Sequence, residues 1–280
     1  MNTAAPTPTR QPHSGTDAPD ALRSATAADT LVVLRVEYDG ARYRGSQAQR
    51  PGTPTIQAEI EAALFRLTGR SCRITAAGRT DSGAHARGQV VSFPASSALP
   101  LDRYVTGLNH YLPDDISVTA AHRAPATFDV IRHARSRHYR YTIMNRRSRS
   151  ALLSQQAAHV KEHLDDRAMS AAITALHGWL DVRPFCGPLA PDRNPLRRYD
   201  SAAVTRDGEI ITIDLWASGF LPHQVRRVAG ALVRVGSGQL SVSEFRRLAR
   251  EGAPGEAPWT MPAAGLCLMS VEYDDGILSD

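Results

Sequence analysis

Between Leu31 and Tyr273 the chain alternates β-rich runs with stretches of helical period, and a related order of elements occurs twice. That repeated order constrains the fold most. A strand that alternates apolar and polar residues must bury one face, and a helix must bury one stripe. Antiparallel sheets covered by helices on one face, built as two α+β halves, satisfy both demands. The first run, Leu31 to Gly40, closes on Asp39-Gly40 and reads as a strand and turn. Ile56, Ile60, Ala63, Leu64 and Leu67 then follow at helical offsets, with Thr53 expected to cap, Pro54 at the first helical position and Gly69 as the stop. A short strand over 71–76, a glycine-rich turn, a strand over 89–93, a helix over 101–111 and strands over 116–122 and 138–144 complete the first half. The second half offers a helix over 165–177, strands over 196–206 and 209–217, further helices and a final strand over 266–273. The helix over 241–250 opens on Ser241-x-x-Glu244, the spacing of a capping box.

With 280 residues the chain exceeds what one core comfortably fills, and two lobes are expected: 30–145 and 146–280, after a flexible N-terminal extension over 1–29. The two antiparallel sheets would join along an edge and leave a cleft between the lobes. Two classes fall away. No apolar run is long enough to span a bilayer, and Met1 to Asp29 holds no apolar core of an export signal. The three cysteines, Cys72, Cys186 and Cys267, are odd in number and widely spaced, which suits a reducing cytoplasm better than a disulfide framework or a zinc site. No metal and no cofactor are expected. Of the 33 Lys and Arg residues only Lys161 is a lysine, and the net charge is +5. Arginine forks match phosphates bidentately, so a polyanionic partner is one reading; arginine-biased coding is the other.

The densest cluster of chemical groups is Gly78-Arg79-Thr80-Asp81-Ser82-Gly83-Ala84-His85-Ala86-Arg87-Gly88-Gln89. Its glycines allow the backbone to turn tightly and approach a ligand, and Asp81 stands among arginines. A guanidinium beside Asp81 would keep the carboxylate ionised, as a nucleophile or general base requires. Residue types alone favour the plainer role, a turn aspartate capping backbone N–H groups. Asp81-Ser82-Gly83 is also the tripeptide of aspartic proteases, but no second copy exists in the chain and Arg79 would oppose a shared proton. Phosphate-loop, zinc-protease and serine-esterase signatures are absent. On the strand over 138–144, alternation places Arg137, Tyr139 and Tyr141 on one face, fit either to stack a base or to pack a core. After Gly219-Phe220-Leu221 a helix begins with Arg226 in its first turn, a setting that favours anions and equally suits a solvated charge. His85, His138 and His223 lie near these stretches, where ordinary core or surface histidines are the simpler account.

In this order the segments resemble the TruA family of tRNA pseudouridine synthases. The resemblance runs over about 31–274, through Glu37-Tyr38-Asp39-Gly40, Gly45, Gln47-x-Gln49, Ala77-Gly78-Arg79-Thr80-Asp81-Ser82-Gly83-Ala84-His85-Ala86, Leu108-Asn109, Leu112-Pro113-x-Asp115-Ile116, Tyr139-Arg140-Tyr141, Val225-Arg226 with Gly230, and Gly265-Leu266. It implies a pseudouridine synthase fold, two ferredoxin-like lobes around a central basic cleft, in a cytoplasmic homodimer that binds tRNA and needs no cofactor. It further implies isomerisation of uridine to pseudouridine in the anticodon stem-loop, at tRNA positions 38, 39 and 40. On the family pattern Asp81 is the catalytic aspartate, Tyr139 stacks on the base and takes part in proton removal, Arg226 pairs with Asp81, and Arg79 contacts RNA. The chain departs from that pattern at Ser46, Asp129-Val130-Ile131, Val182, Gln224, Arg227 and Trp259. Another RNA or a small uridine-containing molecule is the alternative substrate, and a noncatalytic RNA-binding module the alternative class.

Overall fold

The computed structural model describes Met1, 30–94 and 99–278. Apart from Met1, the extension over 1–29 lies outside the described residues. The elements run β1 (Thr30–Tyr38), α1 (Ile56–Thr68), β2 (Thr75–Ala76), β3 (His85–Pro94), α2 (Leu101–Tyr111), β4 (Ile116–Pro125), β5 (Ser136–Asn145), β6 (Ala158–Val160), α3 (Asp166–Ile173), β7 (Gly178–Asp181), β8 (Leu196–Asp207), β9 (Ile210–Ala217), α4 (Gln224–Gly236), α5 (Val242–Glu251) and β10 (Leu266–Glu272).

The strands form one ten-stranded sheet in the order β4-β1-β3-β10-β5-β9-β8-β7, with β2 beside β3 and β6 beside β5. Pairing is antiparallel except for β10 on β3 and β6 on β5. The α+β class with antiparallel pairing is therefore as expected, and the strands of the two halves meet along one continuous sheet. The last strand in chain order makes that junction. Cys267 and Leu268 of β10 pair with His85 and Ala86 of β3, while the other edge of β10 runs antiparallel to β5 from Leu266↔Tyr141 to Glu272↔Ser136.

Alternation decides which face each residue serves. Val32, Leu34 and Val36 of β1 and Ile211, Ile213 and Leu215 of β9 enter one large core, which also takes the apolar stripes of all five helices. Val33 and Val90 point the other way into a smaller core closed by Phe128, Val130 and Tyr273. Each such aliphatic side chain stabilises the fold by about 1.5–3 kcal/mol on full burial, which is why the period of the pattern predicts element type so well here.

Several boundaries differ from expectation. Thr55, not Thr53, caps α1: its side chain accepts from Ala58 N–H, and the Pro54 carbonyl is already occupied by Arg44 N–H (2.9 Å), so the helical ladder starts two residues later. Gly69 ends α1 as expected, in the left-handed region at φ 71°. α3 stops at Ile173 rather than running to 177, because Ala175 and Leu176 bond three residues back and tighten the turn that leads into β7. β3 begins at His85, four residues early, since β10 supplies pairing partners there. The capping box on α5 is present in both directions.

Candidate active site around Asp81

The loop carrying Asp81 is pinned along its length. Arg137, only 7% exposed, donates from Nε (3.2 Å) and Nη2 (2.9 Å) to the Ala77 carbonyl, and also bonds the Ile131 and Ser218 carbonyls. Burial pulls the pKa of this guanidinium down, and no carboxylate meets it among the described residues. Gln89 Nε2 donates to the Gly78 carbonyl at 2.8 Å. Thr80 and Ser46 clamp each other: Ser46 Oγ accepts from Thr80 N–H (2.8 Å) and Thr80 O accepts from Ser46 N–H (3.2 Å). Ser46 thus does a specific job as a small polar residue. Gly45 passes so close that a Cβ there would sit 3.2 Å from the Thr80 carbonyl, and its φ is 103°. A turn closed by Ala84 N–H on the Asp81 carbonyl (3.1 Å) then presents the carboxylate.

Replacing Arg137 by methionine keeps bulk but strands three carbonyls that it satisfies. We expect Arg137→Met to cost about 3 kcal/mol or more in urea unfolding; a loss under about 1 kcal/mol would show that water replaces the guanidinium.

Asp81 is 26% exposed, and its Oδ2 accepts from Arg226 Nη1 at 2.7 Å. These residues are 145 positions apart in the chain. Arg226, 17% exposed, is steadied by donation from Nε to the Met261 carbonyl (2.7 Å). Its place in the first turn of α4 is set by the fully buried Gln224, whose Oε1 accepts from Leu221 N–H and whose Nε2 donates to Tyr199 Oη. Oδ1 of Asp81 makes no hydrogen bond among the described residues, so one carboxylate oxygen is held by a cation and the other is uncommitted. An ionised carboxylate so held can act as nucleophile or base.

Tyr139 is buried at 5% exposure, its ring edge-to-face with Phe220 (centroids 5.0 Å) and its hydroxyl directed to the Arg79 carbonyl at 3.5 Å. Burial raises the pKa of this phenol well above the usual range, so the hydroxyl keeps its proton. Tyr141, the other ring on that strand face, is fully buried and donates to the Pro262 carbonyl, a packing role. The Arg79 side chain is exposed and makes no hydrogen bond or ion pair among the described residues. Asp81, Arg226, Arg79 and Tyr139 thus belong to one locality, linked by the Asp81–Arg226 pair and by the loop over Tyr139.

The structure adds His223, whose Nδ1 lies 3.3 Å from Asp81 Oδ2 and 3.3 Å from Arg226 Nη1. It is the one non-glycine residue with positive φ (63°) among the described residues, at the N-cap of α4. Strained backbone of this kind costs about 1–3 kcal/mol and concentrates at functional sites. The sequence places His223 near this stretch as an ordinary histidine; what sets it apart is its backbone angle and its contact with Asp81. The other two histidines lie elsewhere. His85 packs on the Asp39-Gly40 turn, accepting from Gly40 N–H at Nδ1, and His138 stacks on Trp216 and bonds Asp214 at 2.6 Å.

Comparison with known proteins bears on the family of the chain. The family model described as tRNA pseudouridine synthase matches residues 35–131 and 172–274. A protein of Pelobacter propionicus named tRNA pseudouridine synthase A is 42% identical over 242 residues, covering 86% of this chain and 99% of that protein. Proteins of the same name from Moorella thermoacetica and Neisseria gonorrhoeae are 39% and 38% identical, covering 86% and 89% of this chain and 98% and 94% of their own lengths.

Proposed function

The chain belongs to the tRNA pseudouridine synthase family, and from that premise we propose that it isomerises uridine to pseudouridine in the anticodon stem-loop of tRNA, at positions 38, 39 and 40, with Asp81 as the catalytic carboxylate. The observation that carries the reading is the Asp81–Arg226 pair at 2.7 Å, formed between residues 145 apart on a loop and a helix start. The reaction breaks the bond between N1 and C1′, turns the base and joins C5 to C1′. The proton on C5 leaves and N1 gains one, so nothing is oxidised or reduced. Asp81 attacks either the sugar or the base, and Arg226 pairs with it and holds it in place. Tyr139 provides the ring on which uracil stacks and takes part in handling the C5 proton. Arg79, exposed and unpartnered among the described residues, holds the RNA while the nucleotide is flipped out of its stack, a step that costs a few kcal/mol. On the same premise the enzyme is a cytoplasmic homodimer whose halves, 30–145 and 146–280, form the walls of a basic cleft. Among the described residues no helix is long and apolar enough to cross a membrane.

The test is incubation of the full chain with an unmodified tRNA transcript, and separately with uridine and UMP, followed by nuclease digestion and mass spectrometry. Pseudouridine mapped to the anticodon arm is the expected result. Product from the small molecules alone would move the substrate away from tRNA, a shift that the exposed Ile131, at a position where the resemblance implies a cation, would then explain.

A further inference from the structure

Beside the first turn of α4 lies a cavity of about 590 Å³ lined by Arg183, Arg193 and Arg227 and by much of the loop over 186–195. Its described wall contains three arginines and no Asp or Glu. The charges are not equivalent. Arg183 is paired with both carboxylate oxygens of Asp181. Among the described residues Arg227 donates only to neutral oxygens, the Cys186 carbonyl and Thr260 Oγ1. The Arg193 side chain makes no hydrogen bond or ion pair among the described residues. Among the described residues Arg197 also bonds only carbonyls, those of Asn194 and Leu196, and burial together with the neighbouring Arg193 charge pulls its pKa down. Burial pushes the Cys186 thiol up to about 11, so it offers no compensating negative charge. The larger cavity, about 840 Å³ over Asp39, Arg42 and Asp115, is different in kind, since its arginine is already bonded to Asp115.

Two features suit the basic cavity to a nucleotide. Pro191, Pro195 and Pro258 make rigid apolar wall for a ribose or base edge, and Gly255, at φ 74°, lets the backbone turn closely beside it. Its position relates it to the carboxylate. Arg226 and Arg227 are consecutive on α4, and the segment 258–261 runs between the two places: Arg226 Nε donates to the Met261 carbonyl, Arg227 Nε donates to Thr260 Oγ1, and Pro258 lines the cavity.

We propose that this cavity is a phosphodiester subsite: Arg193 and Arg227 hold a phosphate of a nucleotide flanking the uridine that enters the Asp81 site. The inference rests on the pseudouridine synthase reading. Guanidinium forks bind phosphate oxygens bidentately, and each phosphate contact made on a nucleic acid releases condensed counterions. The subsite fixes the register of the strand and carries no base specificity.

The experiment measures binding of a labelled unmodified tRNA transcript to the full chain by fluorescence anisotropy across a salt series. For Arg193→Gln the affinity near 0.1 M salt is expected to fall about five- to eightfold, and the slope of log K against log salt to become shallower by about 0.7–0.9, the share of one phosphate. Arg227→Gln should do the same, and Arg66→Gln, on the exposed side of α1, should leave the slope unchanged. Wild-type affinity and slope in both Arg193→Gln and Arg227→Gln would overturn the proposal. Should Arg227→Gln fold poorly for want of its bond to the Cys186 carbonyl, Arg193→Gln decides alone. Inorganic phosphate at constant ionic strength separates the sources: if it raises the melting temperature of wild type and not of Arg193→Gln while tRNA binding is equal in both, the site takes a free anion and the proposal fails. Changed slopes without any pseudouridine from the wild-type chain would leave the subsite standing and remove the catalytic reading, so the two failures are distinguishable.

Discussion

Asp81→Asn is expected to abolish pseudouridine formation, by on the order of 10⁴-fold or more, while tRNA binding stays within about threefold of wild type. The substitution keeps the shape of the side chain and removes the charge. Arg226 then faces a neutral amide, but its Nε remains on the Met261 carbonyl, so the guanidinium stays where it is. The turn closed on the Asp81 main chain does not involve the side chain, and the Thr80–Ser46 clamp is untouched. Stability should therefore change by less than about 1 kcal/mol, within the range of a substitution away from the core. Single-turnover conversion of the transcript, read by mass spectrometry, is the measurement. Conversion within tenfold of wild type would remove Asp81 from the chemistry and leave the loop as a structural turn. Loss of conversion together with loss of RNA binding would point instead to a binding module in which Asp81 only organises the arginines.

Gly230→Ala should be the most damaging single methyl group in the second half of the chain. A Cβ at that position would lie 1.9 Å from the Trp259 carbonyl oxygen and 2.8 Å from its carbon, and these are backbone atoms that cannot swing aside. Helix α4 must shift away or the 258–261 segment must give. The expected cost is about 3 kcal/mol or more, at the upper end for overpacking, with a fall in melting temperature of roughly 6–12 °C for a chain of this size. Activity should fall further than stability, because Arg226 sits one turn earlier on the same helix and takes its second bond from Met261. Gly238→Ala is the control. Its φ of 74° imposes backbone strain, yet nothing lies within 4 Å of the added carbon, so a loss of only about 1 kcal/mol and ordinary activity are expected. Equal effects at both positions would show that glycine flexibility, not close approach, is what α4 requires.

How far the sequence discloses this molecule depends on the range of the interaction concerned. The period of apolar residues in 56–67 and the Gly69 stop depend on neighbours three and four residues away, and α1 and α2 are where they are expected. The cap of α1 shifts from Thr53 to Thr55 because of a bond from Arg44 to Pro54, a contact that no window on the helix contains. β6 and β7 are too short to show a period, and β3 starts early because His85 pairs with Cys267 on a far later strand. The same division holds at the site. Asp81, Arg79 and the glycines stand out as a local cluster of residue types, while Arg226 and Tyr139 gain their meaning from the family resemblance and their positions from the fold. His223 and Arg137 show in the sequence only as neighbours of the candidate stretches: one is exceptional in its backbone angle, the other in which carbonyls it reaches.

The position of β10 has a consequence for how the molecule is made. This strand is the last of the described strands to be synthesised, yet it occupies the middle of the sheet, between β3 and β5. The 258–265 segment just before it supplies the Met261 carbonyl that steadies Arg226 and the Trp259 carbonyl against which α4 rests. Partial sheets can form during synthesis, since β1, β3 and β4 pair among themselves, as do β5, β8 and β9. Their junction waits for β10, and with it the alignment of Arg226 toward Asp81. Nascent chains would thus carry an open sheet edge on each half until β10 emerges, the kind of edge that chaperones cover and that aggregates when left exposed.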